Sequence, residues 1–190
     1  MHMEMKEQIL ASAQRLVQQR GFNGFSYADI AAEVGIRKAS LHHHFPSKTD
    51  LGLALIEEYS AQIDSARARI GGLDLQADAK LRAYVALFRG SLDAERMCLG
   101  GMLASEWLTL DASMLPGLKR FFSRNTEWLT EILAVGVTQK LFVLNGSAAD
   151  HARLFLATLQ GALLIARATG DHDGFDRTAS LLVSGLTRKG

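Results

Sequence analysis

Two prolines, Pro46 and Pro116, are all that interrupt a 190-residue chain in which apolar side chains return every three or four positions almost throughout. That spacing lays apolar groups along one stripe of an α-helix, and no stretch sustains the alternate-residue pattern of a strand between hairpin turns. The chain is expected to be all-α, with about nine helices: roughly 3–20, 27–34, 38–44, 48–70, 76–93, 98–109, 114–144, 148–168 and 174–187. Three helix starts share one chemistry. Ser26-x-x-Asp29, Ser47-x-x-Asp50 and Ser147-x-x-Asp150 each offer a serine oxygen to the unpaired amides of a first turn. Each also sets a carboxylate where the helix dipole favours negative charge. Gly21 and Gly71-Gly72 supply stops.

Composition narrows the class without choosing a function. Hydrophobic residues make up 48% and charged residues 22%, enough apolar material for a sizeable core in a globular protein. The net charge is +1, and the first fifty residues carry six Lys/Arg against five Asp/Glu, so a nucleic-acid patch has to be local. Four of the six histidines, His2, His42, His43 and His44, also lie in that segment. The single cysteine, Cys98, excludes an intrachain disulfide and favours a reducing compartment. No apolar run is long enough to span a bilayer, and Ile9, Leu10, Leu16 and Val17 are separated by polar residues, unlike a secretory signal. A cytoplasmic protein without a membrane partner is expected. Met1-His2-Met3 is given no structural weight.

The span from Phe22 to Leu51 carries the strongest local signal: a short helix, a tight turn at Gly35 and a second short helix. Ala28, Ile30, Ala31 and Val34 are expected to face inward on the first, with Ile36 and Leu41 packing from the turn and the second. This leaves Arg37, Lys38, Ser40, His42 and His43 outward, which is helix-turn-helix geometry with its second helix suited to a major groove. Arg and Lys reach guanine edges, while Ser, His and Lys reach phosphates. Three adjacent histidines do not make a metal site, because consecutive helical side chains diverge by about a hundred degrees. His44 is expected to cap the helix end and pack against the first helix. No cofactor is implied.

Residues Phe25-Ser26-Tyr27-Ala28-Asp29-Ile30-Ala31, Val34-Gly35-Ile36-Arg37-Lys38-Ala39-Ser40-Leu41 and His44-Phe45-Pro46-Ser47-Lys48-x-x-Leu51 together resemble the signature of the TetR/AcrR family of transcriptional regulators. A weaker likeness, to the dimerisation helix of many members, lies in Gly161-Ala162-Leu163-Leu164-Ile165-Ala166-Arg167. The resemblance implies two domains: a three-helix DNA-binding head over 1–47, and an effector-binding and dimerisation body over 48–190. It implies a homodimer that reads a pseudo-palindromic operator in double-stranded DNA and responds to a small-molecule effector. Ser26 and Tyr27 would touch phosphates, Arg37, Lys38, Ala39 and Ser40 would approach bases, and His42, His43 and Lys48 would hold phosphates. Many members have tyrosine where this chain has His42, whose reach is shorter.

In the body, large apolar and aromatic groups offer an effector lining. Tyr59, Tyr84, Phe88, Met102, Trp107, Phe121 and Trp128 are the candidates, with Phe122 and Phe155 of the same type. Glu106, Asn125 and Gln160 could orient a ligand; each of these residues also has a plain reading as core or solvated surface. An apolar or aromatic effector is expected. The helix over 148–168 is apolar on two sides, Phe155, Leu159 and Leu163 on one and Leu154, Thr158, Gly161 and Ile165 on the other. With Ala162, Phe175 and Leu182 it is expected to form the dimer interface.

Cys98, at an expected helix start, could serve as a thiol switch for oxidants or electrophiles, or be a small buried residue. No phosphate loop, nucleophile elbow or metalloprotease motif occurs, so an enzyme is not expected. Three readings stay open: the ligand-released repressor, a thiol-sensing regulator and a helical ligand-binding dimer without DNA reading. The sequence does not separate a repressor from an activator.

Overall fold

The computed structural model describes residues 4–187, so Met3, the expected start of the first helix, lies outside the described residues. Among the described residues the chain forms α1 (Met5–Arg20), α2 (Tyr27–Val34), α3 (Lys38–His44), α4 (Lys48–Gly72), α5 (Ala77–Asp93), α6 (Leu99–Ser105), α7 (Leu115–Thr138), α8 (Ala148–Thr169) and α9 (His172–Ser184). A single 3-10 turn, Ala112–Met114, precedes α7, and the one extended pairing among them is an isolated bridge between Phe142 and Thr187. The fold is all-α.

The three serine caps form. The Ser26 and Ser47 amides donate to Asp29 and Asp50 at 2.7 and 2.9 Å, and the Asp150 amide donates to the Ser147 hydroxyl oxygen at 3.1 Å. The side-chain oxygens thereby satisfy donors that a helix start cannot pair internally.

Contacts gather the chain into two compact units. The first holds the chain up to Ile63 together with Cys98–Phe121, so α6 groups with α1–α3, and α1 packs on both α2 and α6. Its core is built from Ile9, Ala13, Val17, Ile30, Leu41, Leu51 and Leu55, each no more than 1% exposed. The Val, Leu and Ile side chains among them stabilise by about 1.5–3 kcal/mol each when fully buried. The second unit holds Asp64–Met97 and the chain from Phe122 onward. There α8 lies along α9 and both pack on α5, around Leu81, Tyr84, Leu129, Leu133, Phe155, Leu159 and Phe175.

Several element ends differ from expectation. α7 stops at Thr138 instead of running to 144: Lys140 takes φ 60°, and the Leu141 amide turns back to the Gly136 carbonyl at 2.9 Å. The Phe142 ring then lies so close to Gly136 that a Cβ there would stand 2.1 Å from Cδ2. Phe142, within the apolar run 141–144, therefore supplies a buried plug and the bridge to Thr187, while Val143 beside it is exposed. α6 ends at Ser105 rather than 109, and the chain turns as Thr109 N–H donates to the Glu106 carbonyl at 2.8 Å. α9 begins at His172 and not 174, because Asp171 caps it by accepting from the Gly174 amide at 2.8 Å. Its end comes at Ser184, before the bridge to Phe142.

Candidate nucleic-acid interface

The first unit builds a rigid platform beneath α3. Ile30 and Ala31 of α2 are buried, as are Leu41 and the following Phe45, while Val34 and Ile36 are half-buried. Ala28, expected inward, is exposed. It sits two positions before Ile30, on the other side of α2, where a methyl group has no core to fill. Gly35 takes the left-handed φ of 77° that ends α2, and the amides of Gly35 and Ile36 both return to the Ala31 carbonyl at 3.0 Å. This sharp turn is what lets a seven-residue helix stand across α2 with its side chains outward.

Arg37, Lys38, Ala39, Ser40, His42 and His43 are all exposed. No ion pair engages Arg37 or Lys38 among the described residues, whereas Arg15 pairs with Glu33 and Arg20 lies 4.0 Å from Asp29. Arg15 and Arg20 of α1 thus meet carboxylates within the head, and Arg37 and Lys38 at the start of α3 do not. His42 Nδ1 lies 3.2 Å from the Pro46 carbonyl, and its ring centroid is 4.8 Å from that of Tyr27. A hydrogen on Nδ1 donates to that carbonyl and leaves Nε2 as an acceptor in the neutral ring. His43 and His44 meet edge to face at 5.8 Å, and no group of three metal-ligating side chains converges among the described residues.

Three residues expected at phosphates have their donors engaged within the head. Tyr27 is buried, and its hydroxyl donates to the Phe45 and Ser47 carbonyls at 2.9 and 2.5 Å, tying the start of α2 to the α3–α4 turn. Burial, with the Asp50 charge adding to it, raises its pKa to about 12. Lys48 is half-buried. Its ammonium donates to the Phe25 carbonyl at 2.5 Å and sits over the Phe25 and Phe22 rings at 4.3 and 5.0 Å. Burial pulls its pKa down, and the charges of Glu106 and Asp29 work against that. Ser26 is exposed, but its hydroxyl hydrogen is given to Asp29 at 2.7 Å, and it is this bond first that lowers the Asp29 pKa. All three are braces of the head.

The candidate effector residues divide between the units. In the first, Tyr59 and Phe121 are buried with ring centroids 5.5 Å apart, Met102 is half-buried, and Trp107 is exposed with Lys119 Nζ 5.6 Å from its centroid. Glu106 is not within a helix but caps the end of α6, and its carboxylate accepts from Asn23. Trp107 and Glu106 are thereby corrected: one faces outward and the other braces the α1–α2 turn. In the second unit, Tyr84, Phe88 and Asn125 are buried and Trp128 and Gln160 half-buried. The Tyr84 hydroxyl donates to Asn125 Oδ1 at 2.8 Å, and the Tyr84 ring lies 5.3 Å from Trp128 and 5.5 Å from Phe88.

Cys98 precedes α6 and is buried, with the Tyr59 hydroxyl 3.8 Å from Sγ. Such a setting fits the small buried residue better than an exposed reactive thiol.

The two-sidedness of α8 is real, but the expected interface residues fall on both sides of it. Phe155, Leu159 and Phe175 are at most 1% exposed within the chain's own core, which corrects their assignment to a subunit interface. Gly161, Ala162 and Leu182 are half-buried, and Ile165 is 64% exposed. Leu154, expected on the second apolar side, and also Leu164 and Leu181 are 57%, 60% and 72% exposed. Leu154 and Ile165 belong to a second apolar stripe at three- and four-residue spacing that the chain's own core leaves exposed.

The family model for bacterial regulatory proteins of the tetR family matches residues 9–55, the span that contains α2, α3 and the turn between them. The chain is similar to a TetR-family transcriptional regulator of solved structure from Agrobacterium tumefaciens, with 36% identity, 96% of this chain and 97% of that chain covered, and a TM-score of 0.92. It is similar also to the HTH-type transcriptional regulator CymR of Pseudomonas putida, 25% identical over 92% of this chain and 85% of that protein. The likeness to the Staphylococcus aureus negative transcriptional regulator IcaR, of a biofilm operon, is 43% over 47 residues, a quarter of each chain.

Proposed function

The chain belongs to the tetR family of bacterial regulatory proteins and is a DNA-binding transcriptional regulator, not an enzyme; from that premise we propose a homodimeric repressor that a small apolar or aromatic effector releases from its operator. Residues 1–47 read DNA and residues 48–190 sense the effector and dimerise. The observation that carries the reading is α3 itself, with Arg37, Lys38, Ser40, His42 and His43 exposed over a buried platform of Ile30, Leu41 and Phe45. Arg37, Lys38, Ala39 and Ser40 approach base edges in the major groove, and His42 and His43 reach the flanking phosphates. IcaR, a negative regulator by name, supports repression through its likeness to the head.

Two copies joined through the exposed stripe of α8 and α9 bring two such helices to a pseudo-palindrome, with half-sites about 34–36 Å apart. A stripe that keeps Leu154, Leu164, Ile165 and Leu181 more than half exposed is costly to leave in water. A groove of about 380 Å³ between α8 and α9, lined by Gly161, Ile165 and Gly174 among others, gives a partner's side chains a place to enter. An effector that favours wider-spaced heads shifts the population away from DNA.

The test is fluorescence anisotropy with duplex DNA from upstream of the chain's own gene, against a scrambled duplex, at several salt concentrations. Preferential, salt-sensitive binding by a dimer is expected. Equal weak binding to every duplex tiled across the neighbouring genes would overturn the DNA-reading assignment.

A further inference from the structure

Arg67, in the second unit, is the one buried side chain among the described residues that carries a formal charge at neutral pH, at 5% exposure. Its Nη2 donates to Asp64 one turn back on α4. The other oxygen of that carboxylate accepts from Arg124 Nη1 on α7 at 2.7 Å. One carboxylate thus serves two guanidiniums, and the trio keeps a net positive charge. Nη1 of Arg67 is buried and has no hydrogen-bond partner among the described residues. A buried cationic donor left unpaired costs more than its pairing would return, and an anion placed there recovers that cost.

The surroundings say what kind of anion. Two approaches fix α4 against α7 on either side of Arg67: the Asp64–Arg124 bond, and Gly71, where a Cβ would stand 3.8 Å from the Trp128 indole nitrogen. Trp128 continues into the rings of Tyr84 and Phe88. A planar guanidinium suits a carboxylate, and flat apolar surfaces suit an aromatic remainder. We propose that Arg67 is the anion anchor of the effector site in the body, and that the effector it takes is a small carboxylate with an aromatic or similarly bulky apolar remainder. This rests on the reading of the chain as a ligand-responsive regulator and names the ligand class.

The experiment uses the full chain without DNA. Benzoate, phenylacetate and 3-phenylpropionate are compared with their neutral amides by thermal shift and intrinsic tryptophan fluorescence. At least one acid is expected to raise the melting temperature, with its amide at least about tenfold weaker, as loss of a charge-assisted bond implies. Arg67→Met is expected to melt no lower than the wild type, since it removes a buried donor without a partner and leaves Asp64 its bond to Arg124, and to lose the preference for acid over amide. Amides that bind as well as the acids, an Arg67→Met variant that binds the acids unchanged, or no response to any acid would each overturn the proposal. Should Arg67→Met fail to fold, the acid-against-amide comparison on the wild type decides alone. Release of DNA is measured separately. Acid binding without release would leave the Arg67 site standing and remove the effector-release reading; release by neutral compounds alone would do the reverse.

Discussion

The carboxylate of Glu106 accepts from both nitrogens of Asn23, the backbone amide at 3.1 Å and Nδ2 at 3.2 Å, across 83 residues of sequence. Asn23 Nδ2 also donates to the Thr109 hydroxyl at 2.8 Å, so the end of α6 and the turn between α1 and α2 are pinned together. Gly21 makes room for the pin: it takes φ 84°, and a Cβ there would stand 2.2 Å from Glu106 Oε1.

Glu106→Ala leaves both Asn23 donors without that acceptor. A loss of about 1–2 kcal/mol is expected, in the range for bonds to a charged group discounted for partial exposure. For a chain of this size that lowers the melting temperature by about 2–4 °C per kcal/mol. Glu106→Gln retains an acceptor oxygen and is expected to lose less. Faster hydrogen exchange at the Asn23 amide in the Ala variant checks the cause, and unchanged exchange would deny it.

Tyr27→Phe separates a brace from a DNA contact. Deleting the hydroxyl takes a donor from the Phe45 carbonyl and one of two from the Ser47 carbonyl, which keeps the Leu51 amide at 3.2 Å, and is expected to cost about 1–3 kcal/mol. The salt dependence of DNA binding is expected to stay as in the wild type. The linkage has a definite sign: the folded pKa of about 12 lies above the ordinary 10, so this contribution is complete below pH 10 and is lost as pH rises through 12. Denaturant melts between pH 9 and about 12 should converge for wild type and variant. Melts that stay parallel would show that the hydroxyl is not protected by folding.

Much of the fold was legible because its signals are local. Serine and aspartate three apart mark helix starts, and Gly35 marks the turn, through hydrogen bonds that close within four residues. What was not legible depends on long-range partners. The run 141–144 has helical apolar character, and only the approach of Phe142 to Gly136 turns it back. Lys48 and Tyr27 look like phosphate ligands until the Phe25, Phe45 and Ser47 carbonyls are in place to take their donors. The same holds for α8: the spacing reveals two apolar faces, and only packing against α5 and α9 tells which is spent inside the chain. Nothing in the spacing of α4 marks Arg67 apart from its other charged residues, and its burial follows from the tertiary fold alone.

Arg37→Ala and Lys38→Ala test the reading face without touching the core. Both side chains are exposed and outside any ion pair among the described residues, so stability is expected to stay within about 0.5 kcal/mol of wild type. A side chain that bonds a base edge is expected to cost about 1–3 kcal/mol and relax preference at one operator position. One that meets phosphate weakens all duplexes alike and reduces the salt slope by about one. Anisotropy titrations at several salt concentrations distinguish these, and unchanged affinity in both variants would move the reading face elsewhere.

Ile165→Asp and Phe155→Ala probe opposite faces of one helix. Ile165 is 64% exposed, so a carboxylate there is solvated in the isolated chain and costs the fold little. In a dimer built on the α8–α9 stripe the same carboxylate is buried against a partner's apolar surface, where an unpaired charge costs several kcal/mol. Light scattering with size-exclusion chromatography is expected to show a dimeric wild type and a folded, monomeric Ile165→Asp variant. Phe155 is 1% exposed inside its own chain, and its loss is expected to cost about 3–5 kcal/mol of folding stability. Its oligomeric state, while it remains folded, is expected to follow the wild type. A dimer that survives Ile165→Asp would remove this stripe from the interface, because no dimer sealed by that face could absorb two buried carboxylates facing across its two-fold axis.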